Sequence, residues 1–410
     1  MILRTRNIIE QIERGNVPEG YKITKVGIFP VDWDVYMLGD CLSRVERPVE
    51  VKPNELYTQI GIRSHGKGLF YKEPVAGAAL GNKAVFWIEP DCFIVNIVFA
   101  WEQAIGKTTQ SEVGMIGSHR FPMYRPVNDR VDVDYLISYF LTKRGTDILE
   151  AASPGGAGRN KTLGQDRFLK SKIVLPPIED QQKIAAILTT QDRVIELKEK
   201  RLAEKQQQKK YLMQQLLTGK KRLPGFNGEW KKTKLKNILH ERKTYSPKGL
   251  DYPHVTLSTE GIFPKSERYD RDHLVKDEDK EYKITHKGDI CYNPANLKFG
   301  AICENTFGDA IFSPIYVTFE VRKNVCREYL ANYLMRWDFI NAVRKYEEGT
   351  VYERMAVKPE DFLKFEIFLP QIEEQTAIAE VLSAADREIE LLRQDIEQEK
   401  LKKKALMQLL

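Results

Sequence analysis

A stretch of unusual sequence occurs twice in this chain. The first copy, LPPIEDQQKIAAIL, begins at Leu175, and the second, LPQIEEQTAIAEVL, begins at Leu369. The offset, 369 − 175 = 194, continues without a gap and aligns residues 131–216 with residues 325–410. Because 194 is close to half of the 410 residues, the repeat predicts a chain built from two related halves, a pseudo-twofold internal duplication.

Upstream of residue 131 the two halves differ almost completely. A few aromatic and apolar anchors still recur, with drifting offsets: Trp33, Leu38 and Leu42 with Trp230, Leu235 and Leu239 (offset 197), and Pro122 and Tyr124 with Pro314 and Tyr316 (offset 192). Each half therefore consists of a variable body followed by a shared tail. A duplication that diverges only in its bodies indicates two similar recognition units on one scaffold.

Each shared tail predicts a long helix. Pro176 and Pro177 end a strand-like stretch, and Glu179 and Asp180 then stand where the helix dipole favours negative charge. A ladder of positions follows at alternating spacings of four and three, which is the coiled-coil period; it is apolar at its start, polar in its middle and apolar again at its end. The apolar positions of this predicted seam are Ile184, Leu188, Ile195, Leu202, Leu212 and Leu216 in the first tail and Ile378, Leu382, Ile389, Leu392, Ile396 and Leu406 in the second.

A single tail of this kind could also be an amphipathic surface helix. Two equal copies in one chain favour pairing of the tails with each other. A twofold axis that relates the halves would make the two helices antiparallel. The fold class that we predict is α+β, with two globular α/β bodies joined by two long helices that pair as an antiparallel coiled coil.

The bulk composition restricts the classes of function. A formal net charge of +6 permits a nucleic-acid partner without requiring one. The five cysteines contain no CxxC pair, which argues against a disulfide framework or a zinc site. No apolar run is long enough to span a bilayer, and the polar N-terminus does not read as a signal peptide. We expect a cytoplasmic protein that has no membrane partner.

Three features of the sequence imitate catalytic or nucleotide-binding motifs. GGAGRNKT (residues 155–162) has Asn160 where a phosphate-binding loop requires glycine. YNPA (residues 292–295) lacks the second proline and the aromatic residue of the amino-methyltransferase motif. The six histidines form no metal-binding or triad-like group. The sequence therefore predicts no catalytic residue, no metal and no cofactor in this chain.

Polar, basic loops rich in glycine remain in both bodies. Arginine and lysine suit guanine O6 and N7 and phosphates, asparagine suits adenine N6 and N7, and glycine allows the backbone to come close. For any one residue a solvated surface loop is the simpler interpretation, whereas the set as a whole favours nucleic acid. The candidate DNA-binding residues are Arg63, Ser64, His65, Lys67, His119, Arg120, Arg159, Asn160 and Lys161 in the first body and Lys265, Arg268, Arg271, Asn293, Asn296, Lys298 and Arg354 in the second.

The doubled LPPIEDQQKIAAIL…DR…LMQQLL segment, the FLK before each copy and the IFPVDWDVYMLGD entry to the first body resemble the specificity (S) subunit of type I restriction–modification enzymes. This resemblance covers essentially the full length. It implies a non-catalytic subunit whose two target recognition domains read a bipartite site in the major groove of double-stranded DNA. The implied domains are an N-terminal arm (1–30), target recognition domain 1 (31–172), a central conserved helix (173–222), target recognition domain 2 (223–366) and a C-terminal conserved helix (367–410).

The resemblance also implies partner proteins. Two methyltransferase (M) subunits would dock on the coiled coil and bind S-adenosylmethionine, and restriction (R) subunits would bind ATP and Mg²⁺ in the full complex. One feature departs from the duplicated pattern, because the first tail continues after Leu217 as TGKKRLPGF whereas the second stops at Leu410. We expect the corresponding end of the coiled coil to be less stable.

Two other classes of function stay open at this point. A coiled-coil scaffold whose bodies bind proteins would retain no specific DNA, even with its partners present. A DNA methyltransferase fused to specificity domains would need the cofactor-binding and catalytic motifs that the chain lacks. Such an enzyme would bind S-adenosylmethionine as an isolated chain.

Overall fold

The computed structural model describes residues 8, 10–12, 14–81, 84–155, 161–247, 251–265, 281–346 and 356–407. The chain forms two compact units: unit 1 is Met1–Leu197 with Ile396–Leu410, and unit 2 is Lys198–Asp395. Each unit therefore contains one body together with a part of each shared tail.

Each unit has a long run of short strands followed by a group of helices, and this mixed content agrees with the predicted α+β class. The strands of unit 1 are β1 (Tyr21–Thr24), β2 (Gly27–Pro30), β3 (Asp34–Met37), β4 (Leu42–Val45), β5 (Leu56–Tyr57), β6 (Ile60–Ile62), β7 (Leu69–Tyr71), β8 (Val75–Ala76), β9 (Val85–Trp87), β10 (Phe93–Val95), β11 (Ile105–Lys107), β12 (Ile116–Ser118), β13 (Met123–Pro126) and β14 (Lys172–Leu175). Its helices are α1 (Leu38–Cys41), α2 (Val133–Phe140), α3 (Lys143–Ala151), α4 (Gln165–Lys170) and α5 (Ile178–Leu216), the last of which continues into unit 2.

Unit 2 has a corresponding set of strands and helices. Its strands are β15 (Lys231–Lys234), β16 (Leu239–Glu241), β17 (Tyr245–Pro247), β18 (Val255–Ser258), β19 (Gly261–Pro264), β20 (Glu281–Thr285), β21 (Ile290–Tyr292), β22 (Ile302–Glu304), β23 (Ala310–Phe312), β24 (Val317–Val321) and β25 (Glu366–Leu369). Its helices are α6 (Arg327–Leu334), α7 (Trp337–Val343), α8 (Pro359–Lys364) and α9 (Ile372–Met407), the last of which continues into unit 1. Short 3₁₀ turns lie at Gly77–Leu80, Ala100–Glu102, Gln110–Glu112, Leu235–Asn237, Leu297–Phe299 and Arg344–Tyr346.

Both bodies are built on a four-stranded antiparallel sheet with the same strand order. The order is β11–β10–β13–β4 in unit 1 and β22–β21–β24–β16 in unit 2. The inner strands β10 and β21 read FIV and ICY and are buried over their whole length, as expected of short apolar runs in a core. The bodies thus share this sheet although their sequences differ.

The strand register corrects one anchor of the sequence comparison. Phe93 lies opposite Tyr124, and its counterpart Ile290, at an offset of 290 − 93 = 197, lies opposite Phe319. Tyr124 therefore corresponds to Phe319, at an offset of 319 − 124 = 195. The predicted pairing of Tyr124 with Tyr316, at an offset of 192, is wrong. Tyr316 precedes β24 and stacks on Phe312 of β23. The Pro-x-Tyr of the second body therefore ends before the strand, whereas Tyr124 lies within β13.

The helices that follow the sheet keep the offset of the sequence repeat. Helices α2, α3 and α4 begin at positions 133, 143 and 165, and α6, α7 and α8 begin at positions 327, 337 and 359, so each pair has the offset of 194. In α4 and α8, Phe168 and Phe362 lie with their ring centroids 5.5 Å from those of Tyr124 and Phe319. All four rings are fully buried, so the contact of this short helix with the sheet is central to each core.

A buried glutamine fastens the start of α5 to the first body. Gln181 has no exposed surface, and its Nε2 donates hydrogen bonds to the carbonyl oxygens of Arg130 and Pro176, both at 2.9 Å. Its Oε1 accepts a hydrogen bond from the backbone N–H of Asp132 at 3.0 Å. Asp132 in turn caps α2 by accepting from the N–H of Tyr135, so one side chain links two helix starts.

The second copy has the same fastening, made by the residue that corresponds to Gln181 in the repeat. This residue, Gln375, is 3% exposed, and its Nε2 donates to the carbonyl oxygen of Pro370 at 2.9 Å. Its Oε1 accepts from the backbone N–H of Cys326 at 3.0 Å. The repeated "EDQ" and "EEQ" of the sequence therefore has a structural reason.

Each unit has a core that includes the beginning of one long helix and the end of the other. In unit 1, Leu188 near the start of α5 and Leu406 near the end of α9 pack on one core. In unit 2, Leu382 of α9 and Leu216 at the end of α5 do the same. Each body is thereby attached to both shared tails.

Polar contacts also join α5 to α9. In unit 2 they are, in order along α5, Lys198–Asp395 (2.8 Å), Lys205–Glu388 (2.9 Å) and Lys209–Asp386 (2.5 Å). The residue numbers of the acidic partners in α9 decrease as those of the lysines in α5 increase. In unit 1, Gln191 is 6% exposed and donates to the Glu399 carboxylate at 2.5 Å, and Lys403 pairs with Asp192 at 2.5 Å.

None of the twelve predicted seam residues is exposed. The buried ones are Leu188, Leu216, Ile378, Leu382, Ile389 and Ile396. The half-buried ones are Ile184, Ile195, Leu202, Leu212, Leu392 and Leu406. The polar positions between them supply the ion pairs described above.

Candidate nucleic-acid interface

The loop between β10 and β11 is organised by a buried asparagine. Asn96 is 9% exposed, its Oδ1 accepts from the N–H of Val98 at 3.1 Å, and its own N–H donates to the carbonyl of Ala104 at 2.8 Å. A 3₁₀ turn follows, and Gln103 ends it in the left-handed conformation, with φ of 58°. We call residues 96–104 the Asn96 loop.

The loop between β21 and β22 has the same backbone hydrogen bonds. Asn293 is 6% exposed, its Oδ1 accepts from the N–H of Ala295 at 3.1 Å, and its N–H donates to the carbonyl of Ala301 at 3.0 Å. Here Gly300 has the positive φ, 89°, which a residue without a Cβ adopts at no steric cost. Residues 293–301, the Asn293 loop, therefore match the Asn96 loop at an offset of 197.

Sequence reasoning missed this equivalence. VNIVFAWEQA (95–104) and YNPANLKFGA (292–301) share only the asparagine and the final alanine. The sequence alone presents YNPA as an incomplete catalytic motif that contains the DNA-binding candidate Asn293, and it does not single out Asn96. The available signal was an asparagine and an alanine at the same spacing in both bodies, at the offset of 197 that the Trp33 anchor also has.

Three segments that carry predicted DNA-binding residues meet at the Asn96 loop. The N–H of His65 donates to the carbonyl of Glu102 at 2.7 Å, which docks the first segment, residues 62–69. The N–H of Ile97 donates to the carbonyl of Arg120 at 3.0 Å, and the N–H of Leu163 donates to the carbonyl of Ile97 at 2.8 Å. The structure thus brings together residues 63–67, 119–120 and 161, which are far apart in sequence.

Most side chains of this cluster are exposed, and several of them are basic. Those of His65, Lys67, His119 and Arg120 are exposed, and Arg63 is exposed with its guanidinium 5.0 Å from the ring of Phe70. The remaining two are partly engaged: Ser64 donates to the Glu102 carboxylate at 3.0 Å, and Lys161 pairs with Glu150 at 3.4 Å and lies 5.2 Å from the ring of Trp101.

A groove runs beside these side chains. Two concave pockets of about 410 and 240 Å³ share the lining residues Lys72, Asn96, Phe99 and Phe121. Ser64 lines the larger pocket, and Ser118 and Arg120 line the smaller one. An apolar floor with hydroxyl and cationic groups at its edge can contact base edges and phosphates together.

In the second body, the predicted residues of the Asn293 loop divide into two roles. Asn293 is buried and uses its side-chain oxygen inside the loop, so it positions the loop. Asn296 is exposed, and Lys298 is half-buried with its ammonium 5.4 Å from the ring of Phe299, which is 63% exposed. Lys265 is half-buried at the end of the β18–β19 hairpin.

A buried ion pair holds the base of the hairpin that carries the Asn293 loop. Asp289, 3% exposed, accepts two hydrogen bonds from the guanidinium of Arg242, at 2.9 and 3.0 Å, and one from the N–H of His286 at 2.8 Å. The hydrogen bond from Arg242 to Asp289 raises the pKa of Arg242, so the guanidinium stays charged.

Five candidate residues, Arg159, Asn160, Arg268, Arg271 and Arg354, lie outside the described residues. Within the described ranges, no group of three or more His, Cys, Asp or Glu residues could hold a metal ion. No helix in the part of the chain that the structure describes is both long and apolar enough to cross a membrane.

Comparison with known protein families shows which family the chain belongs to. Residues 75–206 and 227–400 match the family model of the type I restriction modification DNA specificity domain. The two matches cover most of the chain and repeat its duplication, one match to each body with its tail. The chain belongs to this family.

Two curated members of the type I class are similar over almost the whole length. The putative type I restriction enzyme MjaX specificity subunit of Methanocaldococcus jannaschii is 24% identical, and the alignment covers 96% of each protein. The MjaVIII specificity subunit of the same organism is 23% identical and is aligned over 93% of this chain and 92% of its own length.

Solved structures share the fold. The HsdS subunit of Thermoanaerobacter tengcongensis superposes with a TM-score of 0.53 at 17% identity, over 93% of this chain and 96% of that one. The type I S subunit of M. genitalium gives 0.55 at 10% identity, over 94% and 96%. A chain from a study of assembly and conformational transition in a type I system gives 0.58 at 17%, over 92% and 97%.

The family and these relatives assign to the chain the role of a DNA-specificity subunit of the type I restriction–modification class. They give no support to a scaffold that binds only proteins.

Proposed function

We propose that each body of this specificity subunit reads one half of a bipartite site in the major groove of double-stranded DNA. The observation that carries the proposal is the pair of Asn loops, which have equivalent backbone hydrogen bonds and different side chains. In the first body the loop also gathers basic side chains from three separate segments. Cations position a protein on phosphates, and the exchanged side chains of an otherwise constant loop supply sequence readout.

The two long helices pair as an antiparallel coiled coil with pseudo-twofold symmetry, and its length sets the spacer between the half-sites. The opposite order of the ion-pair partners along α5 and α9 supports this pairing. The helices have 39 and 36 residues, which corresponds to about 55–60 Å at ~1.5 Å per residue. A rod of this length can separate two readers on one duplex.

The chain itself performs no catalysis, and S-adenosylmethionine and ATP with Mg²⁺ are bound by partner subunits in the cytoplasm. Two methyltransferase subunits dock on the shared tails, and restriction subunits join the full complex. The duplicated tails support two equivalent docking sites, because Leu197 and Leu391 correspond to each other in the repeat and are exposed at 49% and 65%. Exposed leucines at equivalent helix positions suit two copies of one partner.

A body exchange tests the division of labour. Residues 39–150 are replaced by the corresponding body of another family member, and the chain is expressed with its methyltransferase subunits. Mapping of the methylated sites in the host should show one half-site changed and the other retained, with the spacer unchanged. A change in both half-sites, or in neither, would refute the two-reader proposal.

A further inference from the structure

We propose that Phe99 and its counterpart Asn296 occupy one equivalent base-reading position, where Phe99 contacts the methyl group of a thymine and Asn296 contacts the N6 and N7 edge of an adenine. This inference rests on the proposed function, because it names the base contacts of the two half-sites. It also predicts that one position of each half-site is an A·T pair.

The backbone at this position is the same in both bodies. Phe99 has φ and ψ of −125° and 21°, and Asn296 has −110° and 5°. The N–H of each donates to the carbonyl of the loop asparagine at 3.0 Å. The carbonyl of Phe99 accepts from Glu102 at 3.0 Å and Ala104 at 3.1 Å.

The carbonyl of Asn296 is used in the same way, by Phe299 at 3.0 Å and Ala301 at 3.3 Å. Since these backbone groups are bonded within the loop, the side chain is the part of this residue that can differ in what it binds. At this position the backbone of the loop is therefore constant, whereas the side chain and the group that it contacts can vary.

Both side chains are presented outward. Phe99 is 38% exposed and lines both pockets of the groove beside Phe121 and Arg120. Asn296 is exposed and stands at the N-cap of a 3₁₀ turn, where asparagine usually accepts a hydrogen bond from the turn. The structure gives the Asn296 side chain no such capping bond within the described turn, so its carboxamide is not used to stabilise that turn.

The chemistry of the two side chains selects the bases. A carboxamide offers both a donor and an acceptor and matches adenine, which presents N6–H and N7 in the major groove. A phenyl ring has no hydrogen-bonding group and instead contacts the C5 methyl group of thymine. Each contact uses one chemical group, the C5 methyl of thymine or the N7 of adenine, that can be removed without changing the duplex sequence.

The test uses the complex of this chain with its methyltransferase subunits and duplexes that carry its mapped target site. Each thymine of the first body's half-site is replaced in turn by deoxyuridine, which lacks only the methyl group. Each adenine of the second half-site is replaced by 7-deazaadenine, which lacks the N7 acceptor. The kcat/KM of methyl transfer is measured for the wild type, Phe99→Ala and Asn296→Ala. The matched controls are Leu56→Ala, at a residue 72% exposed in the first body, and Asn324→Ala, at an exposed residue in the second.

For the wild type and both controls, one deoxyuridine should lower kcat/KM about fourfold, the value of one buried methyl group, and one 7-deazaadenine should lower it at least about fivefold. The deoxyuridine effect should vanish in Phe99→Ala, and the 7-deazaadenine effect in Asn296→Ala. Phe99→Asn, a second variant that keeps an exposed side chain, should change the preferred base of that one position from thymine to adenine.

Persistence of either analogue effect in the matching alanine variant would overturn the inference, as would a half-site without an A·T pair. A uniform loss over all sequences in Asn296→Ala would identify a phosphate contact and would also overturn it. In each of these cases the body exchange still alters one half-site and retains the other, whereas failure of the proposed function means that the exchange changes both half-sites or neither.

Discussion

Replacing Gln181 by leucine tests the fastening between the first body and the long helix α5. The carboxamide makes three hydrogen bonds to the backbone, two donated to Arg130 and Pro176 and one accepted from Asp132. Leucine is of similar size and fills the site, so the substitution removes the polar contacts with little loss of packing. The side chain has no exposed surface, and water cannot replace these bonds without a rearrangement.

The expected loss of stability follows from the groups left without partners. A buried N–H without an acceptor costs about 1–3 kcal/mol, and each lost bond to a carbonyl costs about 0.5–1.5 kcal/mol. For Gln181→Leu, with one N–H and two carbonyl bonds lost, the sum is about 2–6 kcal/mol. For Gln375→Leu, where one bond to the Pro370 carbonyl and one from the Cys326 N–H are lost, we expect about 1.5–4.5 kcal/mol.

The measurement combines urea unfolding with amide hydrogen exchange. Gln182, the next residue of the helix, is exposed, so Gln182→Leu is the matched control and should change stability by no more than about 0.5 kcal/mol. In Gln181→Leu the amide of Asp132 should exchange faster by the same free energy that unfolding loses. If Gln181→Leu and Gln182→Leu were equally stable, the buried carboxamide would not be what fastens the helix.

Three further changes probe the paired helices. Ile389→Glu puts an unpaired carboxylate at a position that is 6% exposed and should lower the free energy of unfolding by several kcal/mol. Less folded complex should form, but the complex that does form should methylate the same target sequence. Normal thermal stability of this variant would show that Ile389 does not lie in a buried seam. Lys205→Glu should lower stability by about 0.5–1 kcal/mol at low salt, and the second change Glu388→Lys should restore that stability. A double-mutant cycle of melting curves measures both effects. If the two effects were additive, the 2.9 Å ion pair would contribute nothing to stability. One helical turn can be inserted in each helix at facing positions, between 201 and 202 and between 391 and 392. This double insertion should lengthen the spacer of the methylated site by one or two base pairs and leave both half-sites unchanged. An unchanged spacer in an active complex would show that the coiled coil does not set the spacer length.

The shared tails were predictable because their information is periodic and local. The spacing of Ile184 and Leu188 follows the helix, and the internal repeat shows the same period twice. The order of the sheet strands was not predictable, because each strand pair joins residues far apart in sequence. The offset changes from 197 at β10 to 195 at β13 and 194 at α2, and each change reflects a connection of different length.

The candidate site was predictable only where residue type alone is informative. Asn296 was selected because an asparagine in a polar loop suits a base edge. Phe99 has no such signal, because a phenylalanine in the run VNIVFA is typical of a core. Only the hydrogen bonds of the backbone show that the two residues stand at the same place, and those bonds have no signature in a single sequence.

The design of the Asn loops explains why the bodies can diverge while the tails stay alike. The loop is held by backbone hydrogen bonds and by one buried asparagine, so an exposed side chain such as Phe99 or Asn296 does not contribute to its geometry. Substitution of an exposed residue such as Asn296 changes stability by no more than about 0.5 kcal/mol, whereas a changed base contact is worth about 1–3 kcal/mol of discrimination. In the tails the relation is reversed, because Gln181 and Leu188 are buried and a substitution there lowers the stability of the fold. Specificity can therefore change at the loop without cost to the fold, and separately in each half-site.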